Sequence, residues 1–299
     1  MKMRGRVLWI ALLVVFEVAA FWYFLLHASS GEGHAQDPAL KRKQSPANVR
    51  RCLSERHRDP RFVRGNACVT PSQRVVAIED LLFELKSVFD TIGIDYWIDS
   101  GTLLGQHRTG GVIPWDFNGN VGVMRSGLHL LRETNIELPE GYELNMVNSR
   151  FYPQADRVAE IPARWVEHKY GFYVDIFEFV DIEMWNVHGN ETIKMLDTLP
   201  DAVWNSCWHC PTVAIERTIT VEVEKNDDEK KKKKDPNQKQ KKTEQVVRTE
   251  QVKRFRIPRD WVFPLRTCVY ETFRVTCPAK PTEYLTHLYG EDFLEPDLW

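Results

Sequence analysis

Cysteine is scarce: Cys52, Cys68, Cys207, Cys210, Cys268 and Cys277 are the six in 299 residues. That excludes a scaffold built on disulfides, while leaving room for a few bridges in an oxidising compartment. An excess of either charge is also lacking. Forty Lys and Arg against 42 Asp and Glu leave a net charge of −2, which excludes a binder of nucleic-acid polymers that works by bulk electrostatics. Long apolar stretches are lacking too, with a single exception. Val7 to Leu26 reads "VLWIALLVVFEVAAFWYFLL", with Glu17 its only charged residue. The run is long enough to span a bilayer. A basic segment (Met1 to Arg6) precedes it, and His27 to Gln36 carries no Lys or Arg. The positive-inside rule then predicts a cytosolic tail at 1–6, a signal anchor at 7–26 and a luminal remainder, a single-pass type II arrangement. A cleaved signal peptide is the rival, but the run exceeds a typical signal h-region.

Charge and apolar patterning divide the remainder. Residues 27–70 are polar and proline-bearing, as a luminal stem is. From Pro71 onward Val75, Val76, Ile78, Leu81, Leu82, Leu85 and Phe89 recur at three- and four-residue intervals, which predicts an amphipathic helix closed by Gly93. "IDYWID" (94–99) reads as a buried strand, Ser100-Gly101 as a turn, Thr102 to Arg108 as a short helix, and Asn120 to Met124 as a second strand. "YGFYVDIFEFV" (170–180) is apolar on both faces, as a central strand is, apart from Asp175. A carboxylate buried there requires a cation, a metal or hydrogen-bond donors. Residues 225–243 are Lys-rich and without apolar side chains, which predicts a disordered insertion. Strand-like alternation on either side predicts that it tips a long hairpin. A short strand and a helix bearing Tyr284, Leu285 and Leu288, stopped by Gly290, complete a single domain expected over 71–299.

Several local motifs remain open. "PWDFNGNVG" (114–122) contains Asn118-Gly119, a hairpin-turn signal. The same stretch places Asp116, Asn118 and Asn120 at alternate positions, so on a strand their oxygen side chains share one face. Cys207 and Cys210 have zinc-like spacing with His209 between them. No second close Cys/His pair exists, which favours structural cysteines or a disulfide over zinc. Cys52 and Cys68 flank a polar loop that a disulfide would close. Asn190-Glu191-Thr192 is a glycosylation acceptor sequence. Asp99 reads as an acceptor for turn amides, and Trp97, Trp115 and Trp165 as packing residues. His107 and His168 have no supporting spacing as general bases.

The order helix, strand, Gly turn, short helix, Asp-bearing strand and second Asp-bearing strand suits a phosphate-handling site. A Gly turn lets backbone N–H groups approach an anion at a helix N-terminus. Carboxylates on neighbouring strands hold Mg²⁺ or Mn²⁺. In these segments the sequence resembles a known family. "YWIDSGTLLGQHRTGGVIPWD", "YVDIFEF" and "FPLRTCVYETFRVTCPAKPTEYLTHLYG" are similar, in the same order, to motifs of LicD-type proteins, the family that includes fukutin and fukutin-related protein. The resemblance implies an α+β fold with a nucleotidyltransferase-like mixed β-sheet flanked by helices, here behind an N-terminal transmembrane helix. It also implies Golgi or ER residence and transfer of a phospho-alcohol, of the ribitol-phosphate or phosphocholine type, from a CDP-linked donor to a glycan.

Carried over by position, Ser100, Gly101, Thr102 and Arg108 match the donor-phosphate residues, and Asp116 and Asp175 the catalytic acids. Asp116, Asn118, Asn120 and Asp175 match the metal set for Mg²⁺ or Mn²⁺. The family has Asp where this chain has Asn118 and Asn120. Removing two carboxylates weakens a divalent site, because affinity follows ligand charge. Two expectations therefore stand side by side: a transferase acting on a CDP-linked donor and glycan acceptor, and a catalytically degenerate member that binds glycans or organises a complex with luminal protein partners.

Overall fold

The computed structural model of the chain describes residues 52–54, 56–63, 68–153, 161–186, 189–199, 206–223 and 242–295. The anchor expected at 7–26 lies outside them, as does most of the Lys-rich segment. Among the described residues no helix is long and apolar enough to cross a membrane.

Helix α1 (Pro71–Ile92) begins with a capping box. Thr70 accepts from the Gln73 amide while the Gln73 side chain accepts from Thr70 N–H, and Gly93 ends the helix in the left-handed region (φ 72°). The predicted stripe is the face that it buries: Ile78, Leu81, Leu82, Leu85 and Phe89 are in the core. Strand β1 (Tyr96–Ile98) leads into α2 (Ser100–Thr109), and β2 (Gly119–Met124) into α3 (Arg125–Glu133). Then come β3 (Tyr142–Met146), β4 (Ala163–Glu167), β5 (Tyr173–Asn186), β6 (Glu191–Leu199), β7 (Thr212–Val223) and β8 (Lys242–Lys253). A short β9 (Arg256–Pro258), the hairpin β10 (Arg266–Tyr270) and β11 (Phe273–Cys277), and α4 (Pro281–Tyr289) follow.

Among the described residues seven strands form one mixed sheet, and β5 is its spine. Its first half lies between β2 and β4, its second half pairs with β6, and the path runs β1-β2-β5-β4-β3 with β9 beyond β6. The β2–β5 pair is parallel; the other pairs of this sheet are antiparallel. The predicted α+β class with a mixed sheet and flanking helices is thus observed. Gly122 is fixed by packing: a Cβ there would come within 2.3 Å of the Trp97 ring. That indole is fully buried and meets Phe179 edge-on at 4.8 Å between centroids.

Several expectations change. Asn118-Gly119 is not a hairpin turn: Gly119 opens β2, whose antiparallel partner β1 is reached through α2. Only Asn120 of the three alternating residues lies in a strand, because Asp116 and Asn118 precede β2. The expected C-terminal strand is a two-stranded hairpin. The long hairpin flanking the Lys-rich segment is present as β7–β8, and Lys242 and Thr243, placed in the insertion above, open β8. Part of the polar segment assigned to the stem packs on the domain: Asp59 N–H donates to the Gly171 carbonyl, and a Cys52–Cys68 disulfide closes this segment.

Candidate functional site

Asp99 ends the approach from β1 and is completely buried. Its Oδ1 accepts from Ser100 N (2.6 Å) and from the Tyr284 hydroxyl (2.8 Å) on α4, whereas its Oδ2 is buried with no hydrogen-bond partner among the described residues. Burial pushes this carboxyl up to about 6, with the Tyr284 and Ser100 hydrogen bonds pulling the other way. Asp99 is the turn acceptor that the sequence suggests. Ser100 sits at φ 44°, and Gly101 follows at the start of α2. A Cβ on Gly101 would lie 2.4 Å from Asp116 Oδ2 and 3.6 Å from Asn120 Oδ1. The Gly turn is therefore the floor on which Asp116 and Asn120 converge. Thr102 joins them: its Oγ1 accepts from Asn120 N–H at 2.8 Å.

Asp175 enters from β5, where it is the Cα partner of Asn120 on parallel β2 and of Arg164 on antiparallel β4. The cations and donors that its burial requires are both present. Arg164 Nε donates to Oδ1 at 2.7 Å, and Asn118 Nδ2 donates to Oδ2 at 3.0 Å. Burial raises its pKa, and Arg164 and then Asn118 oppose that. The Arg164 guanidinium also lies 3.7 Å above the Tyr173 ring, which fixes it against the strand.

Asp116 is differently placed. Its Oδ1 accepts from Phe117 N–H at 2.9 Å, and its Oδ2 faces Gly101. Burial raises its pKa, and the Phe117 amide and then nearby Arg74 oppose that. Arg74 is almost fully buried in α1, donates to the Pro114 carbonyl and stacks over Phe117 at 4.8 Å.

The structure thus brings Gly101, Thr102, Asp116, Asn118, Asn120 and Asp175 together. Arg108 is committed elsewhere: its guanidinium donates to the carbonyls of Phe293 (2.6 Å) and Glu295 (2.9 Å). Asn190 is exposed in the turn between β5 and β6, as a glycosylation acceptor has to be. Trp97 and Trp165 are packing residues, but Trp115, beside Asp116, is 58% exposed. Arg164, Arg74 and Tyr284 are site residues that the sequence did not reveal. For Arg164 the only signal is its cross-strand position opposite Asp175, which requires knowing the β4–β5 register.

This donor set, so arranged, does not fit Mg²⁺ or Mn²⁺. Both oxygens of Asp175 already accept hydrogen bonds. Asn118 turns its NH₂ towards that carboxylate, as it must, since an amide oxygen there would face a like partial charge. Two carboxylates are matched by two guanidinium groups, so the cluster carries no excess negative charge to attract a hard cation.

Comparison with known proteins agrees with the motifs. Residues 93–216 match the family described as LicD/FKTN/FKRP, nucleotidyltransferase domain. A stretch of 54 residues is 33% identical to the ribitol 5-phosphate transferase FKRP of Mus musculus, and equally to that of Homo sapiens. It covers 18% of this chain and 11% of each relative, so the chain spans only a small part of their length in that match. The clustered residues from Gly101 to Asp175 all fall inside the family match, and over residues 93–216 the chain is similar to nucleotidyltransferase domains of the LicD/FKTN/FKRP type.

Proposed function

We propose that the chain is a membrane-anchored, luminal LicD-type protein of glycan modification in which the phospho-alcohol-transferase site has become a metal-free binding site. The family match over residues 93–216 supports a transferase-like role, and the relatives' name supports ribitol phosphate as the transferred class. The observation that carries the metal-free part is Asp175, whose two oxygens are held by Arg164 and Asn118. The remaining polar surface is Asp116, Asn120 and the Gly101 turn, with exposed Trp115 alongside as a flat face for a sugar or a base. Such a site recognises a glycan or a nucleotide-linked sugar alcohol through hydrogen bonds and stacking. The domain then acts as a binding or complex-organising subunit in the Golgi or ER.

One observation favours the second possibility, an active transferase from a CDP-linked donor to a glycan. Asp116 keeps a carboxylate oxygen over the Gly turn, with Asn120 Oδ1 close by. If Arg164 swung away, Asp116 and Asp175 with the two amides would hold Mg²⁺ or Mn²⁺ against the donor diphosphate. Calorimetric titration of CDP with and without Mn²⁺ separates the two. The expected result is CDP heat, if any, that is indifferent to Mn²⁺ in the natural chain, with Mn²⁺ dependence created by Asn118→Asp plus Asn120→Asp. Mn²⁺-dependent CDP binding by the natural chain would instead establish the transferase-type site.

A further inference from the structure

The loop before β7, Cys207-Trp208-His209-Cys210, docks on the last turn of α4. Trp208 N–H donates to the Leu288 carbonyl (2.8 Å) and His209 N–H to the His287 carbonyl (3.0 Å), so the loop caps carbonyls that the helix end leaves free. Cys207 and Cys210 are buried, at 1% and 7% exposure, and form a disulfide. The Nε2 of His287 lies 3.8 Å from Cys210 Sγ. The ligand atoms of Cys207, Cys210 and His287 all lie within 4.8 Å of one another. The sequence offered the C-x-x-C spacing with His209 inside it but no second close Cys/His pair; the fold supplies His287 from 77 residues away.

Two sulfurs on a C-x₂-C loop and an imidazole nitrogen from a second element are the donor set of a tetrahedral zinc site. Ligand atoms around Zn²⁺, bound at about 2.3 Å to sulfur and about 2.0 Å to nitrogen, are themselves roughly 3.5–3.8 Å apart. The 3.8 Å between His287 Nε2 and Cys210 Sγ already matches that, while the two sulfurs, bonded to each other, have to part. Soft thiolates with imidazole select Zn²⁺ over the hard cations Mg²⁺ and Ca²⁺. A further imidazole, His209, has its ring centroid 6.3 Å from that of His287. Its Nε2 faces Glu291 Oε1 at 3.2 Å, so the fourth position is left to water.

We propose that Cys207, Cys210 and His287 form a redox-gated zinc site. In the oxidised chain the two sulfurs are bonded to each other and bind no metal. A dithiol reductant breaks the S–S bond by exchange, giving two protein thiols while the reductant leaves as its own disulfide. Zn²⁺ then displaces the two thiol protons and is held by both sulfurs and His287 Nε2. In the oxidised chain the loop is held to the end of α4 by the Trp208 and His209 amides, and in the reduced, metal-loaded chain a metal bridge through His287 is added to them. This inference is independent of the site around Gly101.

The full chain in detergent, reduced with a phosphine and freed of it anaerobically, is titrated with Co²⁺ as a spectroscopic stand-in and then with Zn²⁺. The expected result is one Co²⁺ per chain with an intense thiolate-to-metal absorption, bleached by Zn²⁺ and absent from the unreduced chain. His287→Gln is expected to weaken the complex by about tenfold or more. Reduction frees the other cysteines as well, so alkylation mapped by mass spectrometry assigns the ligands without any variant. Zn²⁺ should protect Cys207 and Cys210 while Cys52, Cys68, Cys268 and Cys277 still react. A reduced chain with no thiolate band, a complex indifferent to His287→Gln, or equal alkylation of all six cysteines overturns the proposal.

Discussion

Asp116 and Asp175 are two carboxylates of one cluster, both with pKa values raised by burial, yet their surroundings differ. Asp175 stands on a central strand with a guanidinium on one oxygen and an amide on the other. Asp116 stands on a loop, with one oxygen on a backbone amide and the other over a glycine. The difference shows that a buried acid can be made structural by its neighbours while an equivalent acid nearby stays open to a ligand. In this chain the strand acid is the one that has been closed.

Breaking the closed acid has the largest expected effect. Arg164→Ala leaves Asp175 buried without its cation, at a cost of about 3–5 kcal/mol in denaturant unfolding. Asp116→Asn should cost less than a third of that, since no guanidinium donates directly to Asp116; equal losses would erase the distinction between the two acids. Next comes pH. The Asp99 carboxyl rises from 3.8 to about 6 in the fold, so the native state holds its proton more tightly than the unfolded chain. Its stabilising contribution is full below about pH 4 and is lost as pH rises through 6, a change of about 3 kcal/mol. Thermal unfolding across that window should fall with pH in the natural chain and flatten in Asp99→Asn; the same slope in both would rule out Asp99 as its source.

A smaller effect is expected at the open acid. Gly101→Ala drives a methyl into Asp116 Oδ2, costing about 1–3 kcal/mol, and Asp116→Ser should relieve most of it in the double variant. Additive losses would mean that the methyl meets something else. Asn118→Ala removes one donor to Asp175 and should cost about 1.5–3 kcal/mol if that bond is charge-assisted, and less if Arg164 alone suffices.

Much of this site was legible from the sequence, and the reasons are local. Periodicity gave α1 and its Gly93 stop, because a one-sided apolar stripe leaves a 3.6-residue signature. An Asp inside "YVDIFEF" announced a partner, because a strand apolar on both faces has no water for it. The partner itself was hidden. Arg164 sits in a five-residue strand whose register against β5 is set by tertiary pairing, and His287 meets Cys210 only through the docking of α4. Asn118-Gly119 misled because turn chemistry is a local preference. Here the apolar side chains Val121 and Val123, fully buried, pull the residues after it into the sheet instead.

The most direct measurement is a Mn²⁺ titration followed by electron paramagnetic resonance, in which bound ions lose the free-ion signal. With Arg164 holding Asp175, the natural chain should leave the Mn²⁺ signal undiminished at equimolar protein. The combined variant Arg164→Gln, Asn118→Asp and Asn120→Asp should remove one ion per chain. Stoichiometric Mn²⁺ uptake by the natural chain, unchanged by Arg164→Gln, would contradict the assignment of Arg164 to the metal's place.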